Sequence, residues 1–223
     1  EWQGPNMFDA HNIALSTAET LLLNAAILGI IIFALLKAER KLDESSSWIM
    51  LGVLAIFAIA GRILFEPLPN IQPVTVIVLL TGIYFGAPRA FALAGIVALL
   101  SNLLVVGHGP WTLFQVIGWG GVGITGALLS DWLQSDQKLN VNRIALVAFI
   151  AGFAFNWIVS LSILIQADIS VLLPYIFNGL LYDFYHAAGN LAFAAWMAVP
   201  LGDLMHRHRI IPNENAVSEV VTN

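Results

Sequence analysis

The sequence predicts an all-α membrane protein, a bundle of seven transmembrane helices, on three observations. The 223 residues are 59% hydrophobic and 10% charged, with a mean hydropathy of +0.83. Apolar runs recur along the whole chain, and a helical span needs about 20 mostly apolar residues. Seven alternating spans also sort the nine Lys and Arg residues almost entirely onto one side. A transmembrane barrel would need alternating polar and apolar positions, which are absent.

Residues 1–12 read as a polar, exposed tail. Ile13–Leu36 is the first span, interrupted by Glu19 and Asn24 and closed by the basic run Lys37–Lys41. Asp43–Ser47 is a polar linker, with Ser47 suited to cap the next helix. Trp48–Phe65 is the second span. Arg62–Thr75 then carries Pro67, Pro69 and Pro73, which lack backbone donors and push the residues before them toward extended conformations. This predicts a tight, semi-rigid loop over a ligand pocket. The third span, Pro73–Ala87, reaches only about 22 Å at 1.5 Å per residue, so the loop before it is expected to dip below the membrane surface. Ala87–Arg89 reads as a sharp turn and Ala90–Val106 as the fourth span. Gly107–Trp111 is a compact loop whose Pro110 is placed to start a helix.

Trp111–Leu133 is the fifth span, Ser135–Asn142 a polar connection, and Arg143–Ile165 the sixth span. Gln166–Ser170 is a short loop. Val171–Leu204 is the seventh span, and His206–Asn223 a polar tail. The expected domains are 1–46 (tail and first helix), 47–210 (a six-helix membrane domain) and 211–223 (tail). Lys37, Arg40, Lys41, Arg89, Lys138, Arg143, Arg207 and Arg209 share one face, which the positive-inside rule makes cytoplasmic. The protein is thus expected in the plasma membrane, amino terminus outside and carboxyl terminus inside.

Composition also excludes functions. With no cysteine there are no disulfides, thiolate metal sites or cysteine nucleophiles. A net charge of −5 argues against nucleic acid as a partner. No Walker A loop, Gly-x-Ser-x-Gly or His-Glu-x-x-His pattern occurs, so the chain has no nucleotide-hydrolysing domain. No enzyme activity, cofactor or metal is expected.

Several polar residues need a reason to sit in spans, because ionisable groups there face protein or a water-filled cavity. Arg62, alone on the outer side, either pairs with Glu66 or reaches headgroups, or else anchors a ligand. Asn178, Tyr182, Asp183, His186 and Asn190 fall within about 140° of one helix face. They either bond neighbouring helices or line the foot of a cavity. Trp111, Gln115 and Trp119 form a stripe able to stack on a flat ligand, and Trp111 alone also suits a membrane interface. His108 lies in the loop above. Asn156, Ser160, Gln166, Ser101 and Asn102 read as helix-to-helix hydrogen bonders. Gly82, Gly86, Ala90, Ala94, Ala98 and the glycines at 118, 120, 121, 123 and 126 read as close-packing positions.

Three segments, Pro69–Gly86, Gly107–Gln115 and Asp183–Asn190, resemble substrate-binding (S) components of energy-coupling factor transporters. The similarity runs from about Trp48 to Arg209 and rests most on Gly-Pro-Trp-Thr and His-Ala-Ala-Gly-Asn. The resemblance implies a six-helix S-component-like core that binds a vitamin or related micronutrient from outside. It implies a transmembrane T component and two ATPase subunits as partners, and a subunit that topples to release its ligand. It also implies that Glu66–Gln72 and Gly107–Trp111 close over the ligand. The helix Ile13–Leu36 is then one extra N-terminal transmembrane helix, and the usual Ala-x-x-x-Ala docking pattern is not clean. The expected ligand-binding residues are Arg62, Glu66, Asn70, Gln72, His108, Trp111, Gln115, Trp119, Asn178, Tyr182, Asp183 and His186, with a corrinoid the preferred ligand. A non-transporting integral subunit of a larger membrane complex is the alternative. An intramembrane enzyme using Asp183 and His186 would need a nucleophile, and none is evident.

Overall fold

The computed structural model describes residues 45–135 and 138–208, with positions 16, 18, 19, 22, 25 and 29. But for those isolated positions, the first expected span, Ile13–Leu36, lies outside the described residues. So do the basic run Lys37–Lys41 and the tails 1–12 and 209–223.

The described chain is predominantly helical. Helix α1 is Ser45–Leu64, so Ser47 falls inside its first turn rather than ahead of it. Helix α2 is Val74–Phe85. Helix α3, Ala87–Ser101, runs on through a π-helical turn, Asn102–Val106. Helix α4 is Trp111–Leu128, starting directly after Pro110, and a single turn, α5, is Ser130–Leu133. Helix α6, Val141–Ser160, begins at Asn140, whose side chain accepts from the Arg143 amide, and continues as a 3-10 stretch, Leu161–Ile165. A further 3-10 turn, Ile169–Val171, leads into α7, Leu172–Arg207.

The structure corrects three expectations. Ala87–Arg89 is not a turn but the start of α3, with proline at its favoured early position. The chain reverses at Gly86, whose φ of 83° suits glycine. The polar connection after α5 contains a small antiparallel pair, Gln134–Ser135 with Lys138–Leu139. Helix α7 extends to Arg207, so His206 and Arg207 belong to it and not to a tail.

Helix α2 is the axis of the bundle. All of its residues are buried, and α1, α3, α4, α6 and α7 each pack against it. It is about 18 Å long, running from the Pro73 cap to the reversal at Gly86. Glycines permit the enclosure. A Cβ on Gly82 would lie 2.0 Å from the Gly123 carbonyl oxygen, and one on Gly126 would lie 2.2 Å from that of Leu79. Backbones of α2 and α4 therefore touch directly. Gly152 does the same for α6 against Ala187 of α7.

The helices alternate in direction, which gives the bundle two unlike ends. One carries the loops 65–73, 107–110 and 166–168. The other carries the Gly86 reversal, the strand pair and the end of α7. There Tyr84 and His206 rings meet at 6.1 Å, and Gly202 abuts Leu139. Among the described residues, two stretches, Ala87–Leu104 and Val141–Ile165, are long and apolar enough to cross a membrane. The second has a hydropathy of 2.2, yet only 28% of it is buried.

A polar cavity at one end of the bundle

The loop-bearing end holds a cavity of about 630 Å³. Its walls come from the end of α1, the loop after it, the start of α4, the end of α6 and the start of α7. Arg62, Phe65, Gln72, Trp111, Gln115, Phe155, Asn156 and Asp183 are among its lining residues.

Arg62 is the most constrained. It is 5% exposed, although it sits at the last turn of α1. Its Nε donates to Gln72 Oε1 at 3.0 Å. Its Nη1 donates to Asn102 Oδ1 at 2.8 Å and to Ser101 Oγ. The guanidinium lies 5.1 Å from the Trp119 ring centroid, a favourable cation–π position. Of the three expected readings for Arg62, the Glu66 pair and the outward reach are not seen. It does not reach outward to headgroups, and among the described residues it has no ion-pair partner, Glu66 included. The π-helical turn begins at Asn102, beside this cluster, and such turns are frequent at functional sites.

Beneath the cavity lies a sealed polar layer. Trp119 Nε1–H donates to Thr75 Oγ1 at 3.2 Å, and Thr75 Oγ1 is 3.0 Å from His186 Nε2. His186 Nδ1 is 2.9 Å from the Asn70 carbonyl oxygen. A carbonyl can only accept, so the His186 proton sits on Nδ1 and Thr75 donates to Nε2. Trp119 stacks on Phe155 at 4.4 Å, and Phe155 stacks on His186 at 5.1 Å. Guanidinium, indole, phenyl and imidazole thus form one column. Only Phe155 among its three rings also lines the cavity.

Asn70 joins this layer to the loop above. Its φ is 58°, a left-handed value that asparagine tolerates. Its Nδ2 donates to Asn156 Oδ1 at 3.0 Å and to the Tyr182 carbonyl at 3.1 Å. One residue therefore ties the loop to α6 and α7. On the α7 wall, Asp183 is 5% exposed and accepts from Trp157 Nε1 at 3.0 Å.

Nine of the twelve expected site residues line this cavity: Arg62, Glu66, Asn70, Gln72, Trp111, Gln115, Asn178, Tyr182 and Asp183. Asn178 and Tyr182 are exposed and stand at its mouth. The other three do not line it. Trp119 and His186 are fully buried in the layer below. His108 contacts Thr112 Oγ1 at 3.2 Å, and burial lowers its pKa below the usual histidine value. Asn190 bonds the Ala148 carbonyl and so joins α7 to α6. Sequence reasoning missed Phe65, Phe155, Ser162 and Tyr175 as lining residues. Phe155 lies one helical turn from Trp119 in neither chain nor register, so no spacing signals it. Asn156 and Ser160 were within reach, since their i,i+4 spacing puts them on one face.

Fold and site together define a predominantly helical protein with a polar cavity opening at one end. The chain belongs to a family of unknown function (DUF6580), which matches residues 42–207. Neither curated proteins nor solved structures give a match.

Proposed function

We propose that this protein is the binding subunit of a membrane uptake system for a vitamin or related micronutrient, energised by separate transmembrane T and ATPase subunits. The observation that carries the reading is a one-ended cavity with a buried arginine that has no ion-pair partner among the described residues. A buried guanidinium is retained at a desolvation cost, and a ligand that completes its shell is a reason to retain it.

A multi-pass membrane setting is part of the proposal, with N-terminus outside and C-terminus cytoplasmic. Large apolar side chains such as Ile56, Leu146, Ile150, Phe177 and Trp196 are exposed, which suits lipid better than water. Arg89, Lys138, Arg143 and Arg207 stand at the end opposite the cavity, as the positive-inside rule requires of the cytoplasmic side. The cavity volume falls within the usual range for drug-sized ligands. That favours a single vitamin ring system with a side chain over a corrinoid, which is several times larger.

The alternative, an integral subunit without transport, draws on His186 and Asn190, whose side chains hold elements together. It leaves the cavity and Arg62 without a purpose. A vitamin panel against the purified full-length protein in detergent separates the two. A true ligand at 100 times its Kd adds about 2.7 kcal/mol to stability, visible as a raised Tm. A panel without any stabilising compound would remove the uptake reading.

A further inference from the structure

The hydrogen bonds around Arg62 fix which atoms are left to meet a ligand. Arginine only donates. The atoms facing its Nε and Nη1 are therefore oxygens: Gln72 Oε1, Ser101 Oγ and Asn102 Oδ1. Ser101 spends its own proton on the Val97 carbonyl at 2.6 Å. With its oxygen taken, Asn102 turns its Nδ2 to Thr112 Oγ1 and Gln115 Oε1, both at 2.7 Å. Both glutamines thus use their oxygens inward. What remains is Gln72 Nε2, Gln115 Nε2 and Arg62 Nη2. None has a hydrogen-bond partner among the described residues, and none is among the sealed unpartnered atoms. All three residues line the cavity.

This corner therefore offers N–H donors and a positive charge, with the oxygens of Gln72, Ser101, Asn102 and Gln115 already accepting. The carboxylates of Glu66 and Asp183 line the same cavity, and neither forms an ion pair with Arg62 among the described residues. We infer that it receives an oxyanion, a carboxylate or a phosphate, carried by a small soluble ligand. The inference rests on the binding-subunit reading and narrows its substrate class. A neutral carbonyl would accept two hydrogen bonds yet leave the guanidinium charge uncompensated in a buried site. An oxyanion supplies both acceptors and counter-charge, and charge-assisted hydrogen bonds are the stronger kind.

Matched pairs test this on the full-length protein in nanodiscs: biotin and its methyl ester, nicotinate and nicotinamide, pantothenate and pantothenol, pyridoxal 5′-phosphate and pyridoxal. In the pair that binds, the anionic member should be tighter by roughly 10- to 100-fold. Whether that pair carries a carboxylate or a phosphate assigns the oxyanion. Gln115→Glu keeps an oxygen for Asn102 and places a second carboxylate oxygen where the amide nitrogen stood. It should lose the anionic ligand by at least about tenfold while its ligand-free thermal transition persists. Gln72→Glu hands Arg62 a resident counter-ion, so it should melt higher and bind the anion less, two changes of opposite sense. Equal binding of both members of a pair, or an anion that survives both variants, overturns the oxyanion site and leaves the uptake reading standing. Stabilisation by phosphatidylglycerol alone would give the corner to a lipid headgroup and overturn a soluble ligand. Silence across all pairs counts against both readings.

Discussion

Replacing Thr75 by valine keeps the side-chain shape and removes one oxygen. That oxygen accepts from Trp119 and donates to His186, so both rings would keep a buried polar nitrogen without a partner. The expected loss is about 1–3 kcal/mol, read as a lower thermal transition of the purified protein. Thr75→Ser keeps the hydroxyl and should lose far less stability. At this scale the sequence marks some residues and hides others. Arg62 is visible because it alone breaks the charge asymmetry that the expected spans would have. Trp119 and His186 are visible as polar or aromatic groups on a regular face. Face arithmetic gives an angle about the helix axis, however, and not what lies in front of the side chain. Both rings turn out to be filled over by Phe155 and the loop at Asn70. Asn102, the residue that orders the Arg62 cluster, reads from sequence as one of several helix-to-helix hydrogen bonders. Nothing in chain spacing connects position 62 to position 102.

Helix α2 and its covering loop make two predictions at the scale of elements. Gly82→Ala sets a methyl group against the Gly123 carbonyl oxygen, and backbone cannot yield as a side chain can. Forced separation of α2 from α4 should cost about 1–3 kcal/mol, measured as a fall in Tm. Gly121→Ala on the same α4 meets nothing within 4 Å and should be close to neutral. For the loop, Asn70→Gly keeps the left-handed backbone accessible and deletes the ties to Asn156 and Tyr182. Amide hydrogen exchange across residues 65–73 should rise while the helices stay protected. Most element positions were legible from apolar run length. The reversal falls at Gly86 and not at the expected turn Ala87–Arg89, because Ala-Pro-Arg reads as a turn although proline is equally at home in a first helical turn. The strand pair after α5 is two residues per side, below what any periodicity can reveal.

For the molecule as a whole, the proposed orientation can be read directly, because a chain without cysteine needs only one introduced. Glu66→Cys and Lys138→Cys lie in exposed positions at opposite ends of the bundle. In intact cells an impermeant maleimide should label the first and not the second, and permeabilisation should expose both. The reverse pattern would invert the proposed topology. The predominantly helical class was legible because long apolar runs without strand-like alternation are a strong signal. The shape of the hollow was not, since it depends on how five separate segments come together. Below that hollow, Thr75, Ile77, Leu80, Trp119 and His186 have no exposure at all. The molecule is a cup and not a pipe. On the proposed uptake reading, cargo lodged in it would have a single exit, the rim by which it entered, and delivery would require that same rim to reach the other compartment.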